Sequence, residues 1–516
     1  MRAETVVSDM FHTITFGEWW ETLSTSFISF YFIAFVLVLA LIYYLMPKRG
    51  QWLILLIGSA AFYSLGGLTT LLTVMETAVI VWGVALCIER TDRKQKGKRK
   101  AFLILGVLIL LGMLVFTKSY SLFKFRFRYV IPLGISYYTF SAIAYLADVY
   151  WNKDRAETNV LKLALFLLYF PKILQGPIAR HRLLGPQLCQ GHAFQYRKFC
   201  FGIQLALWGY FKKIVVADRL AVLTGAIFGN YEKYGGAVLF LAMIMAAMQL
   251  YCDFSGCMDI AGGVSEMFGI ELEQNFNHPF FARSGSEFWQ RWHMTLSGWF
   301  KDYLFMPVSR SGWVRTISKA VGKRFGSTGR KNTIILIASF MVWLSTGVWH
   351  GTGVPYVAWG LYWYLVTSSS TLLGGVYEKG RKRFGISEEQ KGWQVFQMVR
   401  TYLIFSFGRI LTIPNDLAVT GEILRRYVMM PRFWQLFDGS MLKLGLSGLE
   451  CVILIFGILI VWAVDVLQTR CALREKIAGW NMLYRALFYS LAVITLLIFG
   501  RYGLGYGNTT FTYMNF

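Results

Sequence analysis

His350 closes an uncharged, tryptophan-rich stretch, "FMVWLSTGVWHGTGVPYVAWG" (340–360), and His293 stands in "EFWQRWHMTLSGWF" (287–300). A neutral imidazole titrates near pH 7 and can take the proton of an attacking hydroxyl, the work of a general base. An ionisable group inside an apolar block is costly and marks a functional site by default; the competing reading is a histidine held by structural hydrogen bonds. Ser345, Thr346 and Gly347 before His350, and Gly351, Gly353 and Pro355 after it, predict that regular helix breaks on both sides. Irregular backbone at membrane depth is tolerated where it is buried in protein or lines a cavity, so the segment is expected to line a tunnel with the imidazole at its wall and Trp349 beside it. Seventeen helical residues from the preceding basic loop carry His350 about 25 Å across.

His293 falls on a helix predicted over 287–305 with Ser286 as N-cap. Trp289, Trp292, Leu296, Trp299 and Tyr303 make an aromatic stripe on it, with Arg291, His293, Lys301 and Asp302 off the stripe. Such a helix lies at the interface or dips into the membrane. Asn275, Asn277 and Pro279 mark a turn before it. Asp253 and Asp259, in "QLYCDFSGCMDIAGG", lie at the end of an apolar helix about 240° apart, so they form no carboxylate pair; each reads as a partner for Arg or Lys. His12, His181, His192 and His278 read as structural or surface residues. No His or carboxylate stands at zinc-binding spacing from His293 or His350, and no metal site is expected. GxSxG, P-loop and Rossmann patterns are absent, which leaves ATP-driven transport unsupported.

The elements that must hold these residues are apolar blocks. The 516 residues are 56% hydrophobic and 16% charged, against roughly 45–50% and about 25% in soluble domains. Residues 27–46 run uncharged for a length that crosses a hydrocarbon core of about 30 Å. Similar blocks lie near 68–88, 101–117, 130–147, 236–252, 333–349, 353–376, 447–464 and 484–500, with shorter or interrupted ones near 52–65, 159–178, 200–217 and 394–411. The expected fold is all-α and polytopic, with roughly 11–14 transmembrane or re-entrant helices around a central tunnel. The first block is too long for a cleaved leader and is expected to stay as a membrane helix. One integral-membrane domain over 1–516 is expected, with a motif-bearing core at 249–363 and C-terminal helices in 394–516.

The net charge of +24 is gathered in short loops at 89–100, 310–331 and 379–383. That is the positive-inside pattern, which also suits anionic lipids, and it excludes nucleic acid as the partner. All of these loops can face the cytoplasm if the N-terminus is outside. The basic, aromatic run "KSYSLFKFRFR" (118–128) then falls on the outer side, as an interfacial anchor or the rim of a polymer-binding face. Seven scattered cysteines show neither zinc-finger spacing nor a disulfide framework.

Together, "QLYCDFSG", "NFNHPF", "EFWQRWHMTLSGWFKDYLFMP", "STGVWHG" and "WGLYW" resemble the membrane-bound O-acyltransferases (MBOAT), in particular the branch of bacterial alginate O-acetyltransferase membrane subunits. The likeness is strongest over 249–363, and the ending 498–516 is also similar to that branch. It implies that His350 is the catalytic histidine and His293 the second histidine of the tunnel, with Arg291, Asp302, Asn277, Trp349 and Asp253 supporting the site. His278, Gln290 and "PVSR" (307–310) depart from the family pattern.

Acyl transfer from a thioester to a hydroxyl needs a base and a path that excludes water, which the histidines and the aromatic lining suit. The expectation is a multi-pass enzyme of the cell's plasma or inner membrane, with no bound cofactor and acetyl-CoA as donor substrate at the cytoplasmic face. The 310–331 loop offers seven basic residues and no acids for its phosphates. The acceptor is an exported cell-surface polysaccharide, reached through an extracytoplasmic acetyltransferase or polysaccharide-synthesis subunits. D-alanyl transfer to teichoic acid from a carrier protein, and non-enzymatic export of a polymer or lipid, stand as alternatives.

Overall fold

A computed structural model describes residues 27–65, 67–119, 134–173, 176–351 and 353–502. His12, most of the 118–128 run and the terminal segment beyond Tyr502 lie outside them. The apolar blocks become helices because lipid offers the backbone no hydrogen-bond partner and a helix satisfies its own. Contacts divide the chain into two units.

The first unit comprises residues up to 176, with 180–200 and 264–271. It holds α1 (Phe30–Leu45), α2 (Gln51–Ser64), α3 (Leu68–Arg90), α4 (Lys96–Ser119), α5 (Ile135–Tyr150), α6 (Val160–Leu168) and α7 (His181–Cys189). Ile135–Val149 of α5 and the last six residues of α6 are buried, and they form this unit's core. The block predicted at 159–178 is interrupted after Leu168: α6 stops, and a single turn, Phe170–Ile173, follows around Pro171, which lacks a backbone donor.

The second unit comprises 177–179, 201–263 and the residues from 272 on. The larger parts of α8 (Tyr196–Phe228) and α9 (Gly236–Met267) lie in it. After them come α10 (Gly285–Arg291), α11 (Met294–Phe300), α12 (Gly312–His350), α13 (Val354–Arg383), α14 (Lys391–Ile410), α15 (Leu417–Met429), α16 (Gly448–Gln468) and α17 (Met482–Phe499). Among the described residues, seven helices are long and apolar enough to cross a membrane: α3, α4, α8, α9, α12, α16 and α17. α1 and α2 are apolar but shorter.

Three local expectations need correction. The helix expected at 287–305 is broken. Ser284, not Ser286, caps α10 by accepting from the Glu287 amide at 3.1 Å, and α10 ends at Arg291. Trp292 is extended and pairs with Phe276, and His293 adopts φ 45°, ψ 51° before α11 begins. Trp292 therefore leaves the predicted stripe. The second correction concerns α12, which takes in as helix most of the segment expected as a basic loop at 310–331, kinks at Gly326 (φ 68°, ψ −167°) and runs through Ser345–Gly347 to His350. There Thr346 Oγ1 bonds back to the Val342 carbonyl at 2.7 Å. Gly347 serves close packing: a Cβ on it would lie 2.5 Å from the Tyr356 carbonyl oxygen, and one on Gly360 2.5 Å from that of Trp343. Small residues let membrane helices approach in this way.

Third, Asp253 and Asp259 lie inside α9 rather than at its end, because the helix continues to Met267. Each does hold a lysine. A π-helical turn in α8, Phe211–Ala217, carries Lys212 and Lys213. Lys213 Nζ lies 2.6 Å from Asp253 and 2.9 Å from Asp218, while Lys212 Nζ lies 2.7 Å from Asp259 and donates to Ser255 Oγ at 2.8 Å. Buried charges persist only when paired and hydrogen-bonded, and π-turns recur at functional sites.

Candidate active site

His350 takes its orientation from its own helix. Its Nδ1 lies 2.7 Å from the Thr346 carbonyl oxygen, one turn back. A carbonyl only accepts, so Nδ1 carries the proton and the lone pair of the neutral ring sits on Nε2. The buried ring packs between Trp349 and Trp359, each at a centroid distance of 4.8 Å. The chain then turns at Gly351, where a Cβ would meet the Tyr356 ring at 2.3 Å; close approach, not dihedral freedom, demands glycine here.

His293 is held by residues distant in sequence. It is 1% exposed, and the Phe254 ring of α9 meets it edge-on at 4.8 Å. Its Nδ1 is 3.5 Å from Asn275 Oδ1, which also accepts from the Thr295 amide (2.9 Å) and hydroxyl (2.7 Å). The Asn275 carbonyl accepts from the Met294 amide at 3.0 Å. Burial first, and the His350 charge second, push the His293 imidazole well below its usual pKa, so the ring is neutral at pH 7. Trp349, 6.3 Å from His293 and 4.8 Å from His350, contacts both rings.

A tryptophan cluster backs the pair. Trp289 packs on Trp343, Trp359 and Trp363 at 5.1, 5.8 and 5.0 Å. Aromatic pairs of this kind contribute about 0.5–1.5 kcal/mol each beyond the area they bury. Beside His350 lies a cavity of about 20 Å³, lined by Trp292, Tyr356, Trp359, Phe405 and Arg409 among others. It has room for about one water. A larger cavity, about 530 Å³, has Tyr251, Asn275, Lys212, Asp259, His278 and Asp465 in its wall. Asp465 accepts from the Tyr251 hydroxyl at 2.8 Å and lies 3.3 Å from His278 Nδ1. Asn275 therefore borders this cavity with its side chain on the second histidine.

The other expected site residues divide. Trp349 belongs to the centre. Asp253 is one residue before Phe254 and is tied to Lys213. Arg291 points to Glu287, at 2.8 Å, and to the Asn277 carbonyl, at 3.4 Å. Asn277 is exposed, and its amide donates to the Arg291 carbonyl at 2.9 Å. Asp302 is half-buried on the π-helical turn Lys301–Phe305. Thr295, Lys212 and Lys213 went unmarked in the sequence, and Asn275 was read there only as part of a turn. Two lysines inside the apolar block 200–217 were a readable signal; nothing local separated Asn275 from Asn277. His278, read as structural or surface, lines the larger cavity. No group of three or more His, Cys, Asp or Glu able to hold a metal occurs among the described residues.

Comparison with known proteins decides the family. Residues 59–319 match the model of the membrane-bound O-acyltransferase family. A relative from Pseudomonas syringae that bears the name "Probable alginate O-acetylase AlgI" is 30% identical over 431 residues, which is 80% of this chain and 76% of the relative. The chain belongs to this family. The membrane-bound O-acyltransferase described here is thus an enzyme, and its apolar helices make it a multi-pass membrane protein. A peptidoglycan O-acetyltransferase of Helicobacter pylori is 30% identical over 354 residues, 61% of this chain and 63% of the relative. A teichoic acid D-alanyltransferase of Bacillus subtilis is 28% identical over 286 residues, 54% of this chain and 67% of the relative. The match to the family model contains His293, Asn275 and Asp253 but stops before Trp349 and His350, so the assignment of His350 rests on geometry and on the sequence resemblance.

Proposed function

We propose that this O-acyltransferase moves an acetyl group from a cytoplasmic thioester, acetyl-CoA, to hydroxyls of an exported cell-surface polysaccharide, through an extracytoplasmic partner transferase and from the inner or plasma membrane. The observation that carries the reading is the orientation of His350: its Nδ1–H donates to the Thr346 carbonyl, which puts the lone pair on Nε2, and the neutral His293 lies close by. The Nε2 atom accepts the hydroxyl proton as the oxygen attacks the acetyl carbonyl, and the resulting imidazolium returns that proton to the departing thiolate. The tryptophan lining keeps out water that would hydrolyse the thioester. His293, oriented by Asn275, holds the opposite side of the site, and Trp349 spaces the two rings. The basic segment 310–331, most of it the first half of α12, supports a phosphate-bearing donor on its face of the membrane.

The relatives named for alginate and peptidoglycan support a glycan acceptor and acetyl as the group moved. The D-alanyl relative supports the alternative donor, a carrier-bound alanyl thioester. The test is the O-acetyl content of exported glycan in cells carrying wild type, His350→Ala or His293→Ala at matched membrane levels, with label from [14C]acetyl-CoA followed in membrane vesicles. Loss of label with His350→Ala, while polymer export continues, supports the proposal. Acetylation that persists while export fails would refute it, and alanyl label in place of acetyl moves the donor to a carrier.

A further inference from the structure

The acyl-transfer site leaves unused an apolar groove of about 600 Å³ at the first turns of α9. Ala237, Phe240 and Ile244 of α9, Phe407 of α14, and Tyr427 and Phe433 are among its lining residues, and no charged side chain contributes to it. The segment that closes it is tied down by backbone bonds: the Gly236 amide donates to the Met430 carbonyl at 2.7 Å and the Ala237 amide to that of Pro431 at 2.8 Å. The groove is therefore a fixed feature of the fold rather than a gap under a loose loop.

Its surroundings say what fills it. α9 is a membrane-spanning helix, and Phe240 and Phe407 show exposed edges beside the groove. The last turn of α15 and the connection after it expose Val428, Met429, Phe433, Trp434 (64%) and Phe437 (87%), and the apolar surface resumes at Leu449 and Val452 of α16, another span. The apolar belt that lipid covers thus continues into the groove. Aromatic rings at the ends of spans sit at the headgroup level, with Lys and Arg reaching past them. Arg432, between the lining residues Pro431 and Phe433, supplies a cation there, and no carboxylate pairs with it among the described residues. The neighbouring acids are engaged: Glu422 by Arg425 and Arg426, and Asp438 by the Ser440 amide.

We propose that this groove binds one acyl chain of a bilayer phospholipid, with the lipid phosphate on Arg432. A seated lipid fixes the 428–437 segment against the bilayer surface.

The test uses the full-length protein with p-benzoylphenylalanine in place of Phe433, purified with extensive detergent washing and then irradiated. The expected result is an adduct with the intact mass of a phospholipid, reduced about tenfold (about 1.4 kcal/mol) by Ala237→Phe, which fills the groove. The same probe at Leu372, an exposed position on α13, should lose its lipid on washing. Arg432→Asn keeps a residue that tolerates the left-handed backbone observed there (φ 44°) and should reduce retention of the lipid. Leu241→Trp serves if Ala237→Phe does not melt with wild type. An adduct to a second copy or to another protein, no adduct at all, or a lipid adduct indifferent to both groove-filling variants each overturns the proposal.

Discussion

His350 and His293 lie close enough to influence each other's charge, yet they are positioned in opposite ways. His350 sits on the last turn of α12, in its helical stretch beyond the kink at Gly326, and bonds to a carbonyl four residues back. His293 sits at a break between two short helices, in a left-handed conformation, and depends on Asn275 and Phe254, eighteen and thirty-nine residues earlier. The first geometry comes with the helix; the second exists only when the second unit is assembled. The difference teaches where each half of the site is vulnerable. Local orientation survives changes elsewhere, while a buried polar network fails when one member is removed.

The largest effect should come from His350→Ala. If the ring is the base, transfer falls by roughly 10²- to 10⁴-fold, with unchanged membrane level and melting behaviour, read from glycan O-acetyl content. Loss of folding instead would make His350 a structural residue and end the contrast. Asn275→Ala comes next. Thr295 and His293 lose their shared acceptor, and the rate should drop roughly ten- to hundredfold, about 1.4–2.7 kcal/mol of barrier, with some loss of stability. Asn277→Ala is its partner experiment: the side chain is exposed, and stability should stay within about 0.5 kcal/mol of wild type. A larger loss in Asn277→Ala than in Asn275→Ala would reverse the ranking drawn from the structure.

Gly351→Ala tests the local half. The added Cβ must displace the Tyr356 ring, and such overpacking costs about 1–3 kcal/mol, measurable as a lower thermal midpoint in detergent. The smallest effect is on pH. The folded-state pKa of His293 is depressed, so its neutral form contributes stability that is fully present above the unfolded value of about 6.5 and is lost as pH falls below it. Melting temperature should decline through the mildly acidic range in wild type, and less steeply in His293→Asn. An equal slope in both would place the acid-sensitive group elsewhere.

Much of this was legible in the chain. Apolar blocks at 68–88, 101–117, 447–464 and 484–500 appear as α3, α4, α16 and α17, because runs of that length in lipid have no alternative to helix. The motif containing "WHG" located His350, Trp349 and the glycine turn. The amphipathic stretch 287–305 was misread because its three- and four-residue aromatic spacing is sound locally. What breaks it is the pairing of Trp292 with Phe276 and the burial of His293 against α9, which no window of sequence contains. The same holds for Ser345–Gly347, whose helix-weakening composition serves helix contact instead.

The sequence by itself determined the membrane class and several of the spans, since hydropathy is a local property. Only the tertiary structure decided that Asn275 rather than Asn277 meets His293, that Lys212 and Lys213 each hold their own aspartate of α9, and that an apolar groove opens beside Arg432. Each depends on which atoms come within a few ångströms across segments far apart in the chain, and that distance is set by packing, not by order.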